Sequence, residues 1–184
     1  MSSYAQSKGQ KLSTFELAVY AMLATLMFCS KLIMEALPNI HLLGMLTMVY
    51  TVALRKKALI PIYVYVMLNG FFAGFAPGWV AYLYIWTVLW AVTMLLPKNM
   101  PRKAAMIVYP TVCSLHGFLF GVLYAPAQAL LFGFNFKQTL AWIAAGLPFD
   151  IIHGISNIFT GLLVLPLSGF LKELMEKRTT RTSQ

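Results

Sequence analysis

With 184 residues, 60% of them hydrophobic and only 10% charged, and a mean hydropathy of +0.75, this chain excludes a soluble globular domain, which runs at roughly 25% charged. The formal charge of +9 would suit nucleic acid if it were spread over a surface, but the basic residues fall in tight groups between apolar runs, which is a topology signal. Cys29 and Cys113 both lie inside apolar runs at no disulfide or zinc spacing, and read as packing residues.

Residues 1–13 are polar and read as a cytoplasmic tail, and no short apolar region with a small-residue cleavage site precedes the first span, so no removable signal peptide is expected. Span 1 covers about 14–37 and is stopped by Pro38-Asn39. Span 2, about 41–54, is short beside the ~20 residues that a perpendicular crossing needs. Arg55-Lys56-Lys57 follows as a basic stop. Span 3 covers about 58–76 and ends at Pro77-Gly78. Span 4 covers about 79–96 and begins rich in Trp and Tyr. Span 5 covers about 104–124, and the less regular stretch from Ala125 to Gln138 is expected to lie at the interface and close over a site as a lid. The long apolar run after it is expected to break at Gly146-Leu-Pro148, leaving span 6 at about 148–171 and a polar, basic tail over 172–184.

Six crossings with both termini cytoplasmic place Lys8, Lys11, residues 55–57, Lys98, Arg102, Lys103, Lys172, Lys177, Arg178 and Arg181 on one face, twelve of the fourteen basic residues. The expected fold is therefore an all-α integral membrane protein of six transmembrane helices. At 1.5 Å per residue, this topology assigns a depth to each costly polar side chain. Lys31 and Glu35, spaced i, i+4 for pairing, lie toward the outer end of span 1, with His41 just beyond the turn. Asn69 falls in the outer half of span 3, Tyr82, Tyr84 and Trp86 at the outer start of span 4, and His116 and Tyr124 in the outer half of span 5. Asp150, His153 and Asn157, at i, i+3, i+7, share one face in the outer half of span 6.

An ion path would string polar groups through the whole bilayer. Polar groups collected at one level describe instead a pocket open to the outside and closed below. Each has a plainer role to weigh: an interfacial aromatic belt for Trp79, Tyr82 and Tyr84, helix-to-helix contact for Asn69, and a helix-dipole partner for Asp150. The chain carries no Walker loop, no Gly-x-Ser-x-Gly, no His-Glu-x-x-His and no Cys-x-x-Cys. No catalytic residue, metal or cofactor is expected. The reading from another class is a small intramembrane enzyme using Asp150, His153 and His116, and a third is a purely structural membrane subunit.

The runs Lys31-Leu-Ile-Met-Glu-Ala-Leu-Pro-Asn-Ile-His41, Tyr82-Leu-Tyr-Ile-Trp86, Leu123-Tyr-Ala-Pro-Ala-Gln128 and Gly146-Leu-Pro-Phe-Asp150, set in six spans with a basic loop after span 2, resemble a substrate-specific S-component of the energy-coupling factor (ECF) transporters. The resemblance covers Thr14 to Leu174. It implies a vitamin-binding subunit of a bacterial plasma membrane, partnered by a transmembrane coupling protein and two ATP-hydrolysing subunits, and toppling in the bilayer to deliver its cargo. The substrate-binding candidates on this reading are Lys31, Glu35, Asn39, His41, Asn69, Tyr82, Tyr84, Trp86, His116, Tyr124, Gln128, Asp150, His153 and Asn157. Cobalamin leads among the vitamins, with pantothenate, a queuosine precursor, a pterin and a hydroxymethylpyrimidine open. The family's Ala-x-x-x-Ala contact motif is altered here: Ala18, Ala21 and Ala24 recur at i+3, and Ala21-x-x-x-Thr25 is the nearest pair of small residues, so Ala18, Ala21, Ala24 and Thr25 form the expected coupling surface.

Overall fold

A computed structural model describes residues 12–37 and 39–181, with side chains through Lys177. Lys8, Lys11 and Pro38 lie outside the described residues. The described chain is helical: α1 (Thr14–Met34), α2 (Leu43–Leu54), a 3-10 turn over Arg55–Ala58, α3 (Leu59–Ala73), α4 (Pro77–Val80), α5 (Tyr82–Leu95), α6 (Arg102–Phe118), α7 (Phe120–Phe132), α8 (Phe136–Gly161) and α9 (Val164–Arg181). Four helical stretches are long and apolar enough to cross a membrane: Thr14–Met34, Pro77–Leu95, Arg102–Phe132 and Phe136–Gly161.

The expected spans 2 and 3 are helices of 12 and 15 residues, shorter than a crossing of ~20. The reason for the short α2 is its place. Every residue from Leu43 to Val52 is buried, because α1, α5, α6, α8 and α9 all pack around it. A helix enclosed by protein has no hydrocarbon to match in length. Tyr50 fastens it to α1 by donating its hydroxyl to the Leu23 carbonyl at 2.8 Å.

The long helices reverse the polarity of a soluble bundle. On α8 the buried stripe is Asp150, His153, Gly154, Asn157 and Gly161, while Ile151, Ile152, Ile155, Ile158 and Phe159 are exposed. A soluble amphipathic helix buries its apolar stripe. Here the polar and small residues face protein and the large apolar ones face outward, an arrangement compatible with a lipid surround, where exposed hydrocarbon costs little and exposed polar groups cost much.

Helices α6 and α8 form the tightest seam. A Cβ on Gly117 would stand 2.9 Å from the Gly154 backbone, and one on Gly161 would stand 2.6 Å from Pro110 Cα. Ser114 donates to the Gly154 carbonyl at 2.9 Å and Asn157 Nδ2 to the Cys113 carbonyl at 3.1 Å. Small residues bring the backbones close, and the side-chain donors bond across the gap.

Three expected boundaries differ in the structure. Gly146-Leu-Pro148 does not break the chain, since α8 runs through Pro148. Proline removes one N–H and leaves one carbonyl without its usual partner, and α8 continues across that single gap. The break falls at Leu162-Leu163, where 3-10 bonds run from Leu162 N–H to Phe159 and from Leu163 N–H to Thr160. Pro166 is the third residue of α9, in the first turn, where a helix makes no use of its N–H. The supposed lid from Ala125 to Gln138 is instead the helix α7, a three-residue link and the start of α8. Gly133, at φ +67, ends α7 in the left-handed conformation, and Asn135 with Gln138 forms a capping box that starts α8. The expected basic tail from Lys172 is helical as part of α9 through Arg181.

Candidate functional site

Where α1 ends and α2 begins, the bundle holds a cavity of about 310 Å³. Lys31, Met34 and Glu35 line it from the last turns of α1, and Leu37, Asn39, His41 and Leu43 from the connection into α2. Tyr82 and Trp86, one turn apart on α5, and Phe120 at the start of α7 complete the wall. Asn39 takes φ +59, a left-handed conformation that asparagine tolerates better than most residues. Its carbonyl accepts from Ser156 of α8 at 3.5 Å.

Behind the cavity lies a continuous set of rings. Trp86 is 2% exposed and packs against Tyr65, Tyr82, His116 and Phe120, with centroids 5.8–6.4 Å apart. Phe120 in turn touches His153 at 5.0 Å and Tyr124 at 6.0 Å, and His153 meets His41 edge-on at 4.7 Å. Five helices, α3, α5, α6, α7 and α8, thus meet at Phe120 and Trp86. Tyr124 also stacks on Trp142 and donates its hydroxyl to the Gly78 carbonyl, tying α7 to α8 and α4.

The polar atoms here are unusual in their bonding. Among the described residues, seven buried side-chain polar atoms have no hydrogen-bond partner, and several belong to this region. His41 Nδ1 and Trp86 Nε1 are on cavity-lining residues. His116 Nδ1 and the Tyr65 hydroxyl are on residues packed against Trp86, and Asn69 Oδ1 lies one turn beyond Tyr65. Buried polar groups are normally satisfied, and each orphan costs about 1–3 kcal/mol. Two of the seven are on residues that line the cavity and three more lie in or beside the ring set behind it, so this end of the bundle is the most polar part of its interior.

Lys31 and Glu35 are 3.8 Å apart, with the lysine side chain 18% exposed and the glutamate 67%. A long contact to a mostly solvated carboxylate is a weak pair, worth about 0.3–0.5 kcal/mol at i, i+4. The Lys31 ammonium therefore remains an electrostatic feature of the cavity wall.

Of the residues chosen from sequence, Lys31, Glu35, Asn39, His41, Tyr82 and Trp86 line the cavity, and His116, Tyr124 and His153 belong to the ring set behind it. Asn69 is buried on α3. The other four do structural work elsewhere. Asp150 spends both carboxylate oxygens on the Gly121 N–H, at 3.1 and 3.0 Å. It serves the start of α7, where the helix after the Leu119 break has an unpaired donor. Asn157 is fully buried between α6 and α8, bonded to Cys113. Tyr84 donates to the Leu123 carbonyl at 2.6 Å on the far side of α5, and Gln128 stands beside the Tyr124 hydroxyl. These four side chains are bonded away from the cavity for one reason: a shared depth does not fix which way a side chain turns.

Sequence reading missed Phe120, Tyr65 and Trp142. Phe120 is one phenylalanine in an apolar run and gave no signal. Tyr65 was legible as a hydroxyl inside span 3. No hydrogen bond links Asp150, His153 and His116 among the described residues, and the Phe120 ring contacts both histidines. Among the described residues no group of three or more His, Cys, Asp or Glu is placed to hold a metal ion. No family model, curated protein or solved structure matches this chain.

The expected coupling surface divides. Ala18, Ala21 and Thr25 are exposed on one face of α1, whereas Ala24 is fully buried in the core. The geometry requires this, because six residues turn a helix by about 600° and carry Ala24 well away from the face of Ala18.

Proposed function

We propose that this chain is the substrate-binding S-component of an ECF-type vitamin importer, held in a bacterial plasma membrane with both termini cytoplasmic and the α1–α2 cavity opening outward. The observation that carries the reading is the cavity, which sits at one end of an apolar bundle and is bordered by rings and by buried polar atoms without protein partners. A conduit would continue such groups to the other end. Below this level the buried α2 residues Met48, Val49, Tyr50 and Val52 fill the centre of the bundle, and the Thr51 hydroxyl is spent on the Thr47 carbonyl of its own helix, which suits capture better than conduction.

The cavity size bears on the substrate. About 310 Å³ stands at the low end of the ~300–1,000 Å³ that ligand pockets span. One or two rings with a polar arm fill it. A corrin is larger, so the volume favours pantothenate, a pterin, a queuosine precursor or a hydroxymethylpyrimidine over cobalamin. Lys31 supplies a cation for a carboxylate or carbonyl on the ligand, and Tyr82, Trp86 and Phe120 supply ring surface.

The exposed small residues Ala18, Ala21 and Thr25 are the proposed contact with the coupling protein, since small side chains let another helix approach closely. The chain itself has no nucleotide site, so energy would come from the two ATPases. Native mass spectrometry of the purified protein tests the capture function: a retained small molecule of vitamin mass is expected. Co-expression with an ECF coupling protein and its ATPases tests the assembly, and failure to co-purify with any such module would sink the proposal. Turnover lost on Asp150→Asn, with the fold intact, would favour the intramembrane enzyme instead.

A further inference from the structure

The opposite end of the bundle, on the order of 15 Å away along α2, has a second cavity of about 340 Å³. It lies between the end of α2, the α5–α6 connection and α9. Its charged lining is Arg55, Lys98 and Lys172 against a single carboxylate, Glu176, with Thr93 and Tyr109 in its walls. None of the three cations forms an ion pair with another described side chain.

Arg55 is held by several contacts. Its backbone takes φ +55, a region bulky residues seldom adopt. Its carbonyl accepts from Trp90 Nε1 at 3.2 Å, and its guanidinium donates from Nη2 to the Met94 carbonyl at 2.9 Å. Nε is buried away from the cavity, so the guanidinium meets a ligand through the nitrogen that Met94 does not take. A strained backbone and a guanidinium held at a fixed place in the wall of a basic cavity describe a preorganised anion receptor.

We propose that this cavity binds a phosphate oxyanion, presented either by the headgroup of an anionic membrane lipid or by a soluble phosphate compound. The fixed guanidinium and the two lysines place three positive charges around one cavity, which suits the several acceptor oxygens of phosphate. Basic pockets between helices at the cytoplasmic level of a bundle are where headgroups lodge. The inference rests on the membrane reading but not on what the α1–α2 cavity binds.

The test uses the full chain, purified in neutral detergent. In one arm the protein is mixed with micelles holding equal phosphatidylcholine and phosphatidylglycerol, and native mass spectrometry counts the retained lipid. In the other, inorganic phosphate is titrated and thermal unfolding followed. Wild type is expected to retain phosphatidylglycerol preferentially. The double variant Lys98→Gln/Lys172→Gln should weaken retention roughly 25-fold, at about fivefold per charge, and Lys98→Arg/Lys172→Arg should restore it. Lys56→Gln/Lys103→Gln removes equal charge outside this cavity and should change nothing. Stabilisation by phosphate that is lost in Lys98→Gln/Lys172→Gln, without lipid preference, would support the site with a soluble ligand as its source. Equal retention in the two glutamine variants, or no phosphate dependence in either arm, would overturn the proposal. Vitamin retained at the distant α1–α2 cavity is read in the same spectra, so failure of one site is seen apart from failure of the other.

Discussion

Trp86→Phe separates a binding surface from an ordinary core, because the two predict opposite results. Trp86 is 2% exposed, lines the α1–α2 cavity and keeps a buried Nε1–H without a protein acceptor. Phenylalanine keeps a ring against Tyr65, Tyr82, His116 and Phe120 but loses roughly 40 Å³, costing about 1 kcal/mol at ~24 cal/mol per Å³. Removing an unsatisfied donor returns about 1–3 kcal/mol. The ligand-free protein should thus be unchanged or up to about 2 kcal/mol more stable. A ligand packed on the indole ring should lose contact area and about 1 kcal/mol, roughly a fivefold rise in Kd. Thermal unfolding in detergent measures the first quantity. Calorimetric titration with pantothenate, a pterin, a hydroxymethylpyrimidine and cobalamin measures the second. A variant that loses stability while its affinities stay unchanged would refute the reasoning and leave Trp86 as packing.

Other outcomes follow from particular contacts. Gly146→Ala should stabilise the protein by about 0.5–1 kcal/mol, since a Cβ there meets nothing within 4 Å inside a continuous α8; a lower melting temperature would restore the break expected from sequence. Asp150→Ala should cost about 1–3 kcal/mol by leaving the Gly121 N–H unpaired, with Asp150→Asn milder because an acceptor remains, and melting curves of the pair report the order. Glu35→Gln should leave stability within about 0.5 kcal/mol, whereas Lys31→Met should weaken pantothenate about tenfold or more and spare neutral probes, as binding titrations would show. On α1, Ala21→Trp should abolish co-purification of the coupling module with vitamin capture intact, while Ala24→Leu should lower the melting temperature by overpacking a buried site.

The sequence by itself determined the class of molecule and the rough positions of its helices, because apolar length and sparse charge are local properties. It also gathered Lys31, His41, Tyr82, Trp86, His116 and His153 in one region, since a costly polar residue in an apolar run announces itself. Tertiary structure alone decided orientation around each helix. Asp150 and His153 lie one turn apart, yet one carboxylate serves the start of α7 while its neighbour joins the rings behind the cavity. Tyr82 and Tyr84 diverge for the same reason, two residues being about 200° of turn. The shortness of α2 and the passage of α8 through Pro148 are also tertiary facts. Enclosure by other helices removes the need for membrane-matching length, and the turns on both sides of Pro148 carry α8 across the one N–H that proline lacks.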